Sequence, residues 1–222
     1  MTVASDAALL LAHLDSIGVH GRDRVEKGWD HMGANLVDAA LQRRQDYGKV
    51  VRKRARVLKE AWPDAKTTSG FLDRLATDDL SAVISWSGPD RLKQIADMAE
   101  VLKDKRIEEP GDLRAALEDP DRKVELRGAL QAIRYVGPKT LDYFDILAGL
   151  STGVAVDRRL LRITDAAGIG RTGYDYVAEV IREAADVRGW RHGDLDAAMW
   201  AYVGVQSAKT KGRRRRGTAG SC

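Results

Sequence analysis

The stretch that decides the reading is Ile133-Arg134-Tyr135-Val136-Gly137-Pro138-Lys139-Thr140-Leu141-Asp142-Tyr143-Phe144-Asp145-Ile146-Leu147, followed nine residues on by Val156-Asp157-Arg158-Arg159. Glycine takes φ > 0 at little cost, so Val136-Gly137 reads as a tight turn. Pro138 suits the first position of a helix, where its missing N–H would have no partner anyway. Lys139 then falls in the first helical turn. Leu141, Phe144 and Ile146–Leu147 give that helix a core side. The free amides at its start, with the positive end of the helix dipole, suit a phosphate. The same dipole and partial burial disfavour a charged ammonium at Lys139, which is the direction a nucleophilic lysine needs. The apolar run Val154-Ala155-Val156 delivers Asp157, 18 residues beyond Lys139. Asp157 also has the position of a helix N-cap.

Working outward, the chain reads as helices throughout, with no period-2 strand and no internal repeat. Residues 5–17 form a capped apolar helix closed by Gly18 and Gly21. Residues 33–46 read as an amphipathic helix ending in Gln42-Arg43-Arg44-Gln45-Asp46. Residues 48–61 form another, with Lys49, Arg52, Lys53, Arg54 and Arg56 outward and Trp62-Pro63 as its stop. Thr68 or Ser69 caps a short helix, and Thr77-Asp78-Asp79 caps the next. A longer helix follows from Asp90 to about Lys105. Pro110-Gly111 and Asp119-Pro120-Asp121 read as breaks around a short helix, Leu113–Leu117. Residues 122–134 then lead into the turn, with Val124, Leu126, Leu130 and Ile133 inward. Beyond Asp157, a helix over 158–168 ends at Gly168-Ile169-Gly170. Thr172 caps a helix from Tyr174 to Val187, and Asp194 starts the last one. From Ala208 onward the composition reads as disordered. The expected fold class is all-α, in two helical lobes with a cleft between them.

These residues resemble a known family. The stretch is similar to the helix-hairpin-helix and Gly/Pro-Asp motif of base-excision DNA glycosylases, the superfamily of endonuclease III and the 8-oxoguanine glycosylases. The matching positions are Ile133, Val136, Gly137, Lys139 and Thr140, then Val156 and Asp157. The close match covers about 35 residues, through Arg162, and weaker similarity runs over most of the chain. There are two departures from the pattern: Tyr135 stands where the family has its first hairpin glycine, and Arg158-Arg159 follow the aspartate in place of Thr-His.

The resemblance implies a glycosylase fold over residues 1–207, with the hairpin motif at about 122–150 lining the cleft, and a basic tail at 208–222. It implies a bifunctional DNA glycosylase with AP lyase activity, in which Lys139 is the Schiff-base nucleophile and Asp157 the carboxylate that assists it. Tyr135, Val136, Gly137 and Thr140 would meet the DNA backbone, and so would Arg158 and Arg159. Gln45, or else Gln42, would fill the gap left by an extruded base. The partner would be double-stranded DNA carrying a damaged base or an abasic site. No motif fixes the base; lysine-bearing relatives without a cluster include the 8-oxoguanine enzymes, which favours an oxidised purine. Two alternatives stay open: a monofunctional glycosylase using Asp157 and water, and a non-enzymatic helix-hairpin-helix module that grips DNA.

Composition sets the remaining bounds. A chain of 222 residues can bury a core of its own. Its single cysteine, Cys222, rules out an intrachain disulfide framework and the four-cysteine iron–sulfur cluster of many endonuclease III relatives. A reducing compartment is expected, cytoplasmic or nuclear. His13, His20, His31 and His192 show no ligand spacing, so neither a metal nor another cofactor is expected. There is no P-loop. No apolar run approaches a membrane span, and a monomer is expected. The net charge is +4, but Lys209, Lys211 and Arg213–Arg216 carry +6, which leaves −2 for the rest. Nucleic-acid affinity in the folded body must therefore come from a local patch.

Overall fold

In the computed structural model the described residues are 2–21, 28–43 and 45–217, with side chains described to Gln206. Every regular element among them is helical. Twelve α-helices follow in order: α1 Val3–Ile17, α2 Met32–Leu41, α3 Arg52–Ala61, α4 Thr68–Thr77, α5 Leu80–Ile84, α6 Pro89–Asp104, α7 Pro110–Glu118, α8 Pro120–Gln131, α9 Pro138–Leu147, α10 Arg158–Ala166, α11 Tyr174–Val187 and α12 His192–Gly217. A π-helical turn, Tyr47–Val51, leads into α3, and a 3-10 turn, Pro63–Lys66, follows it. No helix among the described residues is long and apolar enough to cross a membrane.

The chain divides into two compact units. One runs through α2 to α9 and ends at Leu150; the other joins α1 to everything from Ser151 onward.

The first of these is built around α2. All ten of its residues are buried, including Asn35 and Asp38. It is therefore a central helix, not the amphipathic one its sequence suggests. The two polar side chains are tolerated because both are hydrogen-bonded. Asn35 exchanges hydrogen bonds with the backbone of Trp29, accepting from its N–H at 2.9 Å and donating to its carbonyl at 2.9 Å. Asp38 accepts from Trp29 Nε1 (2.8 Å), Gln42 Nε2 (3.2 Å), Tyr143 Oη (3.0 Å) and Tyr47 Oη (3.3 Å). Burial pushes the Asp38 carboxyl up from its ordinary range against the pull of those four donors. Burial and the Asp38 charge push Tyr47 to about 12. His31 caps the helix: its Nδ1 accepts from Ala34 N–H at 3.1 Å, so the ring proton sits on Nε2, 2.9 Å from the Trp62 carbonyl oxygen. At Gly33 an added Cβ would lie 2.7 Å from the Phe71 ring, so glycine lets α4 close on α2.

In the second unit α1 packs along α11, and α10 and α12 complete the core with Leu10, Leu14, Leu160, Val177, Ile181, Leu195 and Met199. Thr2 and Ser5 form a capping box at its start, and Gly18, at φ 70°, closes α1. Tyr176 Oη donates to the buried Asp6 at 2.7 Å.

Several features differ from the sequence reading, and two of them share one reason. Pro110 and Pro120 start helices instead of breaking them, as Pro138 does. Each sits in the first turn, where no N–H is missed. The cap of α4 is Thr67, not Thr68 or Ser69. Gly173 precedes α11 with no side-chain cap, so Thr172 does not serve. Val124 is 75% exposed on α8 rather than inward. The backbone of α12 is helical to Gly217, beyond Ala208, and its Lys, Arg, Ala and Gln content is favourable to helix. Arg44 and Cys222 lie outside the described residues.

Candidate nucleic-acid interface

The turn between α8 and α9 is held from both sides. Asp142 and Asp145 of α9 are buried. They pair with α8 through Arg127–Asp142 (2.8 Å), Lys123–Asp145 (2.8 Å) and Arg127–Asp145 (3.7 Å). Burial raises the Asp145 carboxyl while Lys123 pulls it down. Val136 is buried and anchors the turn to the core. Its N–H donates to the Ile133 carbonyl at 3.1 Å.

The left-handed residue of this turn is Tyr135, at φ 71°. Gly137, expected to take that role, is extended at φ −124° and ψ −178°. Its contribution is space, since an added Cβ would meet nothing within 4 Å. The backbone in front of α9 is open to approach. Lys139 and Thr140 are half-buried in the first turn of α9. The Lys139 ammonium has no ion-pair partner among the described residues.

Tyr135 gathers a cluster that the sequence did not announce. Guanidinium carbons lie over its ring from Arg134 (4.6 Å), Arg91 (5.5 Å) and Arg43 (6.0 Å). Its hydroxyl donates to Asp90 Oδ2 at 3.0 Å, and Arg134 lies 3.9 Å from Asp90 Oδ1. Burial, and then the neighbouring Arg43 charge, push the Arg91 guanidinium down. Arg43 follows α2 and Arg91 lies in α6, so only the fold brings them to Tyr135.

Gln45 is exposed just before the π-helical turn, whereas Gln42 is held by Asp38. Of the two, Gln45 is the one whose side chain is available. On α3, Arg54 is half-buried, stacked 5.4 Å from Trp86 and donating to the Ser85 carbonyl at 3.2 Å; Arg52, Lys53 and Arg56 are exposed.

In the other unit Asp157 is the N-cap of α10. Oδ1 accepts from Arg159 N–H (2.7 Å) and Leu160 N–H (3.2 Å), which leaves Oδ2 without a bond among the described residues. Arg158 is exposed. Arg159 is half-buried, with its guanidinium 3.9 Å from the Trp200 ring centroid. Only Trp62 of the five tryptophans is fully buried; the other four are half-buried.

A family model described as "Domain of unknown function (DUF8548)" matches residues 22–204. The chain belongs to this family. No curated protein and no solved structure matches it. In this DUF8548 chain the matched span includes the Tyr135 turn, Lys139 and Asp157, and leaves out α1 and the end of α12. Among the described residues no group of three or more His, Cys, Asp or Glu side chains is placed to hold a metal ion.

Proposed function

We propose that this protein is a DNA glycosylase with AP lyase activity. The observation that carries the reading is Lys139. It stands in the first turn of α9 behind an open glycine, half-buried, with no carboxylate among the described residues taking its charge. The residues around it resemble those of the helix-hairpin-helix glycosylases, and Oδ2 of Asp157 accepts no bond among the described residues after Oδ1 caps α10.

In this reading the damaged base leaves the duplex, because its glycosidic bond is out of reach inside the stack. The lone pair of Lys139 Nζ attacks C1′ of the sugar, and the C1′–N bond breaks with its electron pair leaving on the base. Asp157 stabilises the positive charge that develops on the sugar. Loss of a proton from nitrogen and ring opening give a protonated imine between Lys139 and C1′. That imine makes the C2′ proton acidic, and its removal expels the 3′ phosphate by β-elimination. Hydrolysis of the imine then frees the lysine.

The test is borohydride reduction during turnover on abasic and lesion-bearing duplexes. Covalent protein–DNA adduct is expected with the native chain and is expected to vanish in Lys139→Gln. Base release without strand nicking in Lys139→Gln would transfer the chemistry to Asp157 and water. Salt-sensitive binding with no base release from any lesion would reduce the protein to a DNA grip.

A further inference from the structure

We infer that Tyr135, Arg43, Arg91 and Arg134 form a phosphodiester-binding site that holds a DNA strand beside the α8–α9 turn; this rests on the DNA-directed reading above. Three cations surround one ring, and a single carboxylate, Asp90, is bonded within the cluster. Arg43 has no ion pair among the described residues, and Arg91 donates to the neutral Gln94 side chain. Like charges gathered this closely repel one another, and an anion with several oxygens relieves that repulsion. Guanidinium forks match phosphate oxygens in pairs.

Two further observations separate this site from an ordinary basic surface. Tyr135 is in the left-handed region, which costs a side chain with a Cβ and would cost glycine nothing. The strain is retained, and the ring is what holds three arginines together. The groups that this cluster presents are guanidinium N–H donors gathered at the ring, which suit phosphate oxygens. The ligand chemistry is therefore that of the sugar-phosphate backbone and carries no base preference.

The experiment is equilibrium binding of the full chain to a short undamaged duplex over about 50 to 200 mM salt. It compares the native chain with Arg43→Ala, Arg91→Ala, Arg134→Ala, the triple variant and Tyr135→Gly. Each arginine that neutralises a phosphate contributes a slope of about 0.9 to log K against log salt. The triple variant is expected to bind at least tenfold more weakly at the upper end of that range, with a slope shallower by about two to three. Tyr135→Gly suits the backbone, so it should fold normally and still bind more weakly. A triple variant that binds with the native slope, or a Tyr135→Gly protein with native affinity, overturns the site. None of the three arginines is placed in the chemistry, so borohydride trapping by the triple variant at saturating, low-salt DNA is expected to persist. Trapping that persists with an unchanged slope sinks this site and leaves the glycosylase reading standing. A native chain that fails to bind DNA at low salt sinks both.

Discussion

At the residue scale, Tyr135 shows how a motif can keep its shape while its parts exchange roles. The turn needs one positive φ, and the sequence offers Gly137 as the obvious donor of it. The structure assigns the positive φ to Tyr135 and uses Gly137 for clearance. Comparing Tyr135→Gly with Tyr135→Ala isolates the backbone term, because both lack the ring. The glycine variant is expected to be more stable by about 1 kcal/mol, read as a difference in urea midpoints. His31 offers a second check. Burial depresses its ring below the ordinary 6.5 even though the Trp62 carbonyl favours the charged form. The folded chain therefore binds fewer protons than the unfolded chain just below 6.5, and stability falls as pH drops through that window. Protonation would also turn the capping Nδ1 into a donor facing the Ala34 N–H. His31→Asn, which caps without titrating, is expected to lose less stability than the native chain between about pH 7 and 5.5. The place of Lys139 in the first turn of α9 was legible from Val136-Gly137-Pro138 before it. Arg43 and Arg91 were not, because nothing local ties positions 43 and 91 to position 135.

At the element scale, the helix starts were legible wherever one rule was applied consistently. Pro138 was read as a first helical residue and is one; Pro110 and Pro120 obey the same rule but read as breaks beside Gly111 and Asp121. Helix α2 was hidden for a different reason. Asn35 and Asp38 give it a polar stripe on paper, and their partners Trp29, Tyr47 and Tyr143 become visible only when the chain is folded. Removing Asp38 takes the carboxylate acceptor from Trp29 Nε1, Gln42 and the two tyrosines. Asp38→Ala is expected to cost about 3 kcal/mol, measured by chemical denaturation. The pairing of α8 with α9 gives a parallel expectation. Arg127→Ala removes one cationic partner from each of two buried carboxylates, and should cost about 3 kcal/mol in the same assay. If the loss is below about 0.5 kcal/mol, the range of an exposed pair, the helix pair is held by its apolar contacts instead.

At the scale of the whole molecule, pH acts in two directions. Asp38 and Asp145 are raised by burial, so the stability linked to their protonated forms is full below the ordinary 3.8 and is lost as pH rises through the raised values. Glu108 is held to about 2 by Lys103 and Ser69. Its contribution is full above the ordinary 4.5 and is lost as pH falls toward 2. Glu108→Gln is therefore expected to flatten the acid side of the stability profile, seen as a smaller drop in urea midpoint between about pH 5 and 3. The all-helical class was legible from residue patterning. The division into two units was not legible in its boundaries, because the stretch Gly149-Leu150-Ser151-Thr152-Gly153 reads like any other short loop between helices. The joining of α1 to α11 has a consequence during synthesis. The ribosome releases Leu10 and Leu14 long before it makes Val177 and Ile181, the residues that will cover them. Until then a greasy stripe travels uncovered on the nascent chain, a natural handle for a chaperone and a hazard to neighbouring polypeptides when production outruns supply.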